Sequence, residues 1–401
     1  MALRVAEPRD SGRAVTSLEV EMTTVAVVAD VHVANHKRLG GPAEIGLNER
    51  CRLAIDSLRL ACWEARERGC ARLYVAGDLF DTVAPSPRVL AAVQDVLAES
   101  SHRGCPVTVM PGNHDAISAE PGDHALGPLR YVSTVVDRPS VDRLGDMDVI
   151  LIPHRSGRAA TWLRSAIAEA EDEDSEGDRA DPSQASLRSL RVLVLHLGIS
   201  TSSSPSYLRD DPSSIDASGL GAIADESDVD IVVAGHWHDM ATFSLGDARA
   251  IQIGALAPAG WGDLGVADRG RMLVVDSGGR VESVEIPGPR FVKVRSADDV
   301  EAFAERAQGS KLFVEWLAAA DEMADARDDL KILIDRGVVH RGAVTIDVED
   351  ASEAAREAAA AARSSDSLAA ALAAYVGKMK LPKGVDRGRV LELARRFTGI
   401  G

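Results

Sequence analysis

Five apolar runs in this 401-residue chain end in side chains suited to holding metal ions. VAVVADVH delivers Asp30 and His32, LYVAGD delivers Asp78, and VTVMPGNHD delivers Asn113, His114 and Asp115. VLVLH adds His196, and IVVAGHWH adds His236 and His238. A lone Asp-x-His or a lone histidine is usually a surface or packed residue. In the joint order D-x-H, GD, GNHD, H, GHxH, each at the end of an apolar run, they indicate a metal centre. Carboxylate, imidazole and amide donors without thiolate suit Mn²⁺, Fe²⁺ or Zn²⁺, with Mg²⁺ also compatible, better than Ca²⁺ or an iron–sulfur cluster. Asp78 is the carboxylate expected to bridge two ions roughly 3.5–4 Å apart, the spacing of paired metals in phosphoryl chemistry.

Positioning these groups requires strands whose ends converge. From Thr23 short β-rich runs (TVAVV, RLYVA, VTVM, VILI, VLVL, IVVA) alternate with longer helical patterns, which indicates layered α/β architecture. In an open α/β sheet the C-terminal ends of parallel strands share one edge, so ligands far apart in sequence meet there. Glycines 77, 112 and 235 directly precede ligand residues, where a missing Cβ permits tight turns. Asn48 is the expected cap of a helix reaching about Arg68 with an apolar stripe of Leu53, Leu58, Ala61 and Ala65. A second helix follows Pro87 and carries Val89, Leu90, Val93 and Leu97.

The remaining histidines divide into two groups. His36, His102, His154 and His340 read as surface or packed residues. His124, in GDHALGPL, lies close enough to the GNHD motif to be a candidate substrate contact.

Residues 1–21 read as a disordered extension without the apolar centre of a secretory signal. The segment 169–188 is so rich in acids and poor in apolar side chains that a mobile surface insertion is expected. After Pro287-Gly288-Pro289 the pattern resets into a small βαβαβ unit over 289–350. Residues 351–401 read as a helical linker and short terminal helices, locally basic and with an apolar stripe of Leu368, Leu372, Tyr375 and Val376. That pairing suits a partner- or DNA-binding role.

The composition, 45% hydrophobic and 27% charged, is that of a soluble globular protein, and no apolar run approaches the roughly 20 residues needed to cross a bilayer. A cytoplasmic location is expected. Cys51, Cys62, Cys70 and Cys105 form no C-x-x-C pair and read as reduced, structural thiols. The net charge of −17 argues against holding nucleic acid by general attraction, so any DNA contact must be local. The sequence has no G-x-S-x-G elbow, no G-x-x-x-x-G-K-[ST] phosphate loop and no Cys-rich zinc cage, and ATP hydrolysis by the chain itself is not expected.

Over about residues 23–288 the motif series resembles the calcineurin-like metallophosphoesterase superfamily. The resemblance implies a four-layer metallophosphoesterase fold, two packed β-sheets flanked by helices. It places one metal on Asp30, His32, Asp78 and His238, and a second on Asp78, Asn113, His196 and His236. All seven positions are present, which implies catalytic competence. Paired cations lower the pKa of water and neutralise charge in the transition state, so direct in-line attack without a phosphoenzyme is expected. His114 is then the expected hydrogen-bond or proton donor to the phosphate or leaving oxygen, with Asp115 orienting its imidazole.

Within the superfamily, AGDLFDTVAPSPRVL, IQIGALAP and DRGRMLVVD resemble the SbcD branch of DNA-repair nucleases. That likeness implies a Mn²⁺-dependent, homodimeric DNA nuclease with an α/β capping domain. It also implies C-terminal helices that grip an SbcC-type SMC-like ABC ATPase. The acidic segment before His196 departs from the branch's usual pattern. Two alternatives remain open: a small-molecule or cyclic-nucleotide phosphodiesterase or phosphatase, and a scaffold that recruits an ATPase to DNA without cutting.

Overall fold

The computed structural model describes residues 22–175, 189–260, 270–306, 310–347 and 386–398, apart from residues 38, 119, 259 and 320. The expected extension 1–21, the greater part of the acidic segment and the stripe at 368–376 lie outside the described residues.

Two six-stranded sheets form the main body. The first is built on three parallel strands, β1 (Thr24–Val28), β2 (Arg72–Ala76) and β3 (Val107–Met110). The second is built on β4 (Met147–Ile152), β5 (Leu190–His196), β6 (Ile231–Gly235) and β7 (Ala248–Gln252), also mutually parallel. Antiparallel strands extend both sheets; β8 (Gly270–Asp276) pairs with β1, and β9 (Val281–Ile286) pairs with β8.

Side-chain alternation along each strand generates the layers. Val25, Val27 and Ala29 meet Val192, Val194, Ile231 and Val233 in an apolar layer between the two sheets. The intervening Ala26 and Val28 pack outwards beneath α1 (Glu49–Glu67) and α2 (Pro87–His102). On the far side Leu193 and Leu195 pack beneath α3 (Ala159–Ser175) and α4 (Ala217–Glu226). The order helix, sheet, sheet, helix is the four-layer α/β architecture expected from the sequence.

The helices start where side chains satisfy their first amides. Asn48 accepts from the Cys51 N–H at 2.9 Å, and Ser86 caps α2 with Pro87 in its first turn. Leu53 departs from the expected stripe of α1. It packs on the opposite flank, against Phe291 and Phe313, while Ala54 and Ile55 join Leu58 in the core. The four cysteines are buried free thiols, and burial pushes Cys62 and Cys70 up to about 12.

One expectation is corrected at the acidic segment. Residues 169–175 are not a mobile insertion but the end of α3. Ala159, Leu163, Ala166, Ile167 and Ala170 form a buried stripe that carries the helix forward, and the first acids find cations. Glu169 pairs with Arg155 at 2.7 Å, and Glu171 pairs with Arg191. Glu169 is half-buried, and Glu171 and Asp172 are exposed on the helix surface.

Past β9 the chain makes three parallel strands, β10 (Pro289–Val294), β11 (Lys311–Ala318) and β12 (Arg341–Ile346). They are joined by α5 (Ala297–Arg306) and α6 (Met323–Asp335) around a core that includes Val294, Val314, Trp316 and Leu330. This unit rests on the start of α1. Arg341 Nε donates to Glu49 Oε2 at 2.9 Å, His340 lies 3.1 Å from the same carboxylate, and the Arg50 guanidinium sits 4.6 Å above the Phe291 ring. A last helix, α7 (Arg387–Thr398), follows. Among the described residues no helix is long and apolar enough to cross a membrane.

Candidate metal centre

The C-terminal ends of β1, β2 and β3 face those of β5 and β6 across the sandwich, and the motif residues project into the gap. His32 Nε2 and His238 Nε2 come within 3.0 Å, and Asp30 Oδ1 lies 3.9 Å and 3.7 Å from them. Beside this group, Asn113 Oδ1 lies 3.1 Å from His196 Nε2 and 2.9 Å from His236 Nδ1. Asp78 stands between the two groups, its Oδ2 3.8 Å from His32 Nε2 and 3.3 Å from His196 Nε2. The structure therefore brings all seven expected ligand residues together, with Asp78 in the shared position.

The donor atoms fit divalent ions. Two imidazole nitrogens facing one another at 3.0 Å match two ligands of one ion at about 2.1 Å and roughly a right angle. Asp30, Asp78 and His196 are almost wholly buried, a costly arrangement for charge unless cations compensate it. Burial alone would push Asp78 up, but His196, then His32 and His114, hold its carboxyl well below the usual range. Burial lowers His196, yet Asp78 and then Asp30 prevail and raise it to about 9. Each shift reports a site organised around opposite charge, in which a bound cation takes the role of the proton on His196.

Outer partners orient the ligand rings. His196 Nδ1 donates to the Ala76 carbonyl at 2.8 Å, leaving Nε2 to face the centre. His32 Nδ1 lies 3.2 Å from Asp81 Oδ1, and His236 Nε2 lies 3.4 Å from Asp211 Oδ2. Asp81 is shared further: its Oδ2 is 3.6 Å from His36 Nδ1 and its Oδ1 3.7 Å from His114 Nδ1. One carboxylate thus faces three histidines. Asp81→Asn keeps its shape but removes that charge, and is expected to lower both divalent-metal affinity and kcat about 10–100-fold. Calorimetric titration beside steady-state rates checks this. Changes within twofold would reduce Asp81 to a solvated neighbour.

The backbone is strained at the ligands. Asp30, His32, Asp78 and His236 have φ of 53°, 48°, 51° and 93°, in the left-handed region, at a cost of order 1 kcal/mol each. Neighbouring bonds hold the strain. The Asp30 N–H donates to Gly77 O at 3.2 Å, and the N–H groups of Val31 and His32 both donate to Asp78 O at 3.0 Å. Gly77 itself has φ of +89°, and a Cβ there would lie 2.2 Å from His196 Nδ1. At Gly112 the reason is close approach rather than a turn, since a Cβ would lie 2.1 Å from Asp78 Oδ1.

His114 lies at the rim, its side chain 43% exposed, with its backbone N–H donating to Asp78 Oδ1 at 2.8 Å. Its Nδ1 faces the Asp81 carbonyl at 3.3 Å, which leaves Nε2 for a substrate.

The expected partnership with Asp115 is corrected. Asp115 is fully buried and accepts from the backbone N–H groups of Phe80 at 2.9 Å, Gly112 at 3.0 Å and Leu79 at 3.1 Å. Burial, then the charge of Asp78, push its carboxyl up to about 7. Asp115 fixes the turns that carry Asp78 and Asn113, and Asp81 is the carboxylate that faces His114.

His124 is not turned to the centre either. It is buried, with Nε2 3.3 Å from Asp137 and Nδ1 accepting from the Leu126 N–H at 3.1 Å. His340 pairs with Glu49 on the appended unit, and His102 ends α2.

Three neighbours escaped the sequence reading. His154 has its ring 6.1 Å from that of His196, and burial, then the two site histidines His196 and His236, lower it to about 4. Its signal was present, because VILIPH is one more apolar run ending in histidine. Asp81 follows GD by three residues in GDLFD, a weaker cue. Asp211 comes from a loop after α3 and β5 and carries no sequence signal.

The sequence profile described as Calcineurin-like phosphoesterase matches residues 23–240. No curated protein matches the chain. Solved structures match at low identity and low TM-score. The protein TT1561 of Thermus thermophilus is 12% identical, with 66% of this chain and 99% of that chain covered and a TM-score of 0.42. A dimetal phosphatase from Danio rerio is 15% identical, with 66% and 98% covered and a TM-score of 0.41. The purple acid phosphatase PPD1 from yellow lupin (Lupinus luteus) seeds is 10% identical, with 66% and 51% covered and a TM-score of 0.39; the chain spans about half of that protein's length. With the profile spanning over half of the chain and the site's donors gathered at the strand ends, the chain belongs to the calcineurin-like phosphoesterase family, the metal-dependent phosphoester hydrolases.

Proposed function

We propose that the chain is a DNA nuclease subunit of the SbcD type, using two Mn²⁺ ions to hydrolyse phosphodiester bonds and working as a homodimer with an SbcC-type ABC ATPase. The observation that carries this reading is the βαβαβ unit appended to the metal lobe and fastened to α1 through Glu49 and Arg341, followed by the basic helix α7. In this reading the appended unit caps the DNA and the terminal helices take the ATPase.

Bound Mn²⁺ supplies charge neutralisation at the phosphorus and a water acidic enough to attack near neutral pH. Asp30, His32, His238 and Asp78 would hold one ion, and Asp78, Asn113, His196 and His236 the other. Asp81 holds His32 and His114 in place, and His114 hydrogen-bonds the phosphate or leaving oxygen through Nε2.

One observation favours a small-ester hydrolase instead: a net charge of −17 repels a long polyanion. Purified protein with Mn²⁺ is expected to degrade linear duplex DNA. Turnover confined to mononucleotides or cyclic nucleotides would overturn the nuclease assignment in favour of that second reading.

A further inference from the structure

A second concavity adjoins the metal centre. Pro111 and Ala116, which flank the GNHD turn, line it, and His154 stands at the junction, its ring 6.1 Å from that of His196 and its backbone N–H donating to Pro111 O at 3.1 Å. The cavity measures ≈ 310 Å³, within the usual range for small-ligand pockets. Pro111, Pro153 and the half-buried Trp162 supply flat apolar surface, and Glu120, Asp123 and Ser118 stand around it.

Charge decides what it accepts. Arg155 is engaged by Glu169 at 2.7 Å, and Arg130 by Asp137 at 2.5 Å. Among the described residues no cation pairs with Glu120 or Asp123, so the cavity keeps uncompensated acceptors and disfavours a phosphate. A neutral, planar group with N–H donors satisfies both the acceptors and the aromatic wall.

We propose that this cavity is a base subsite, receiving an amino-bearing nucleobase adjacent to the phosphate that sits at the metal centre. The proposal rests on the phosphodiesterase reading above and names the part of the substrate that confers selectivity. Trp162 provides the stacking face, Glu120 and Asp123 accept from the base edge, and His154 marks the passage to the metals.

The test compares two esters with Mn²⁺ present: the p-nitrophenyl ester of adenosine 5′-monophosphate, and methyl p-nitrophenyl phosphate, which has no base. The expected result is a preference in kcat/KM of about tenfold for the base-bearing ester, carried by KM, as one base–aromatic stack supplies. Trp162→Ala should remove most of that preference and Trp162→Phe should retain it. Glu120→Ala, on an exposed loop, should weaken it and decides the matter should Trp162→Ala fail to fold. Equal hydrolysis of both esters, or a preference untouched by Trp162→Ala and Glu120→Ala, overturns the subsite and leaves the phosphodiesterase standing. Failure to cleave either ester while phosphomonoesters turn over removes the phosphodiesterase reading as well.

Discussion

Asp78→Asn is expected to lower phosphoester hydrolysis by at least about 10³-fold and to reduce the bound metal from two ions to one or fewer. Asp78 Oδ2 is the atom reached from both sides, by His32 and by His196, and the amide that replaces it carries no charge to share. Each ion contributes several kcal/mol of charge stabilisation in this class of reaction, so losing the shared carboxylate removes more than a single contact. The backbone consequence adds to this, because Asp78 Oδ1 accepts from the His114 N–H and thereby sets the rim of the site. Metal analysis by mass spectrometry beside steady-state rates checks both halves. A variant that kept two ions and turned over normally would show that Asp78 is not the bridge.

His114→Ala tests the other half of the chemistry. His114 belongs neither to the Asp30, His32 and His238 group nor to the Asp78, His196 and His236 group, although it clusters with His32 and Asp81. Metal content is therefore expected to stay at the wild-type level while kcat falls about 10²–10⁴-fold, the usual range for a positioned proton or hydrogen-bond donor; loss of an ion would instead assign His114 to metal binding. The loss should be smallest for esters with a good leaving group such as p-nitrophenolate, which need little help in departing. A uniform loss across leaving groups would assign His114 to phosphate binding alone. Unchanged kcat would remove His114 from the mechanism and leave the chemistry to the metal centre alone.

The residues that gather at the candidate centre were legible in the sequence because parallel strands leave their C-terminal ends on one edge, and an apolar run ending in Asp or His marks such an end. Asn48 was equally readable, since a cap is a local matter of one side chain and one amide. Asp115 shows where adjacency misleads. Its neighbour His114 lies at the rim at 43% exposure, whereas Asp115 points inwards to two amides of another turn and one of its own. Consecutive residues in a turn face different ways, and no periodicity reports which way each one goes. Asp211 reaches His236 from a distant loop, a pairing fixed only by tertiary packing. The acid-rich end of α3 was misjudged for the opposite reason: its composition is that of a solvated loop, while the apolar stripe that drives the helix lies just before it.

The His196 to Ala76 bond spans the sandwich, joining a side chain of one sheet to a carbonyl of the other. Neither half of the chain therefore owns a complete set of donors: Asp30, His32, Asp78 and Asn113 come from one wing, His196, His236 and His238 from its opposite. A pair of ions held by these residues would complete its ligand set only once the two wings close in folding, and would then act as a clasp across the seam.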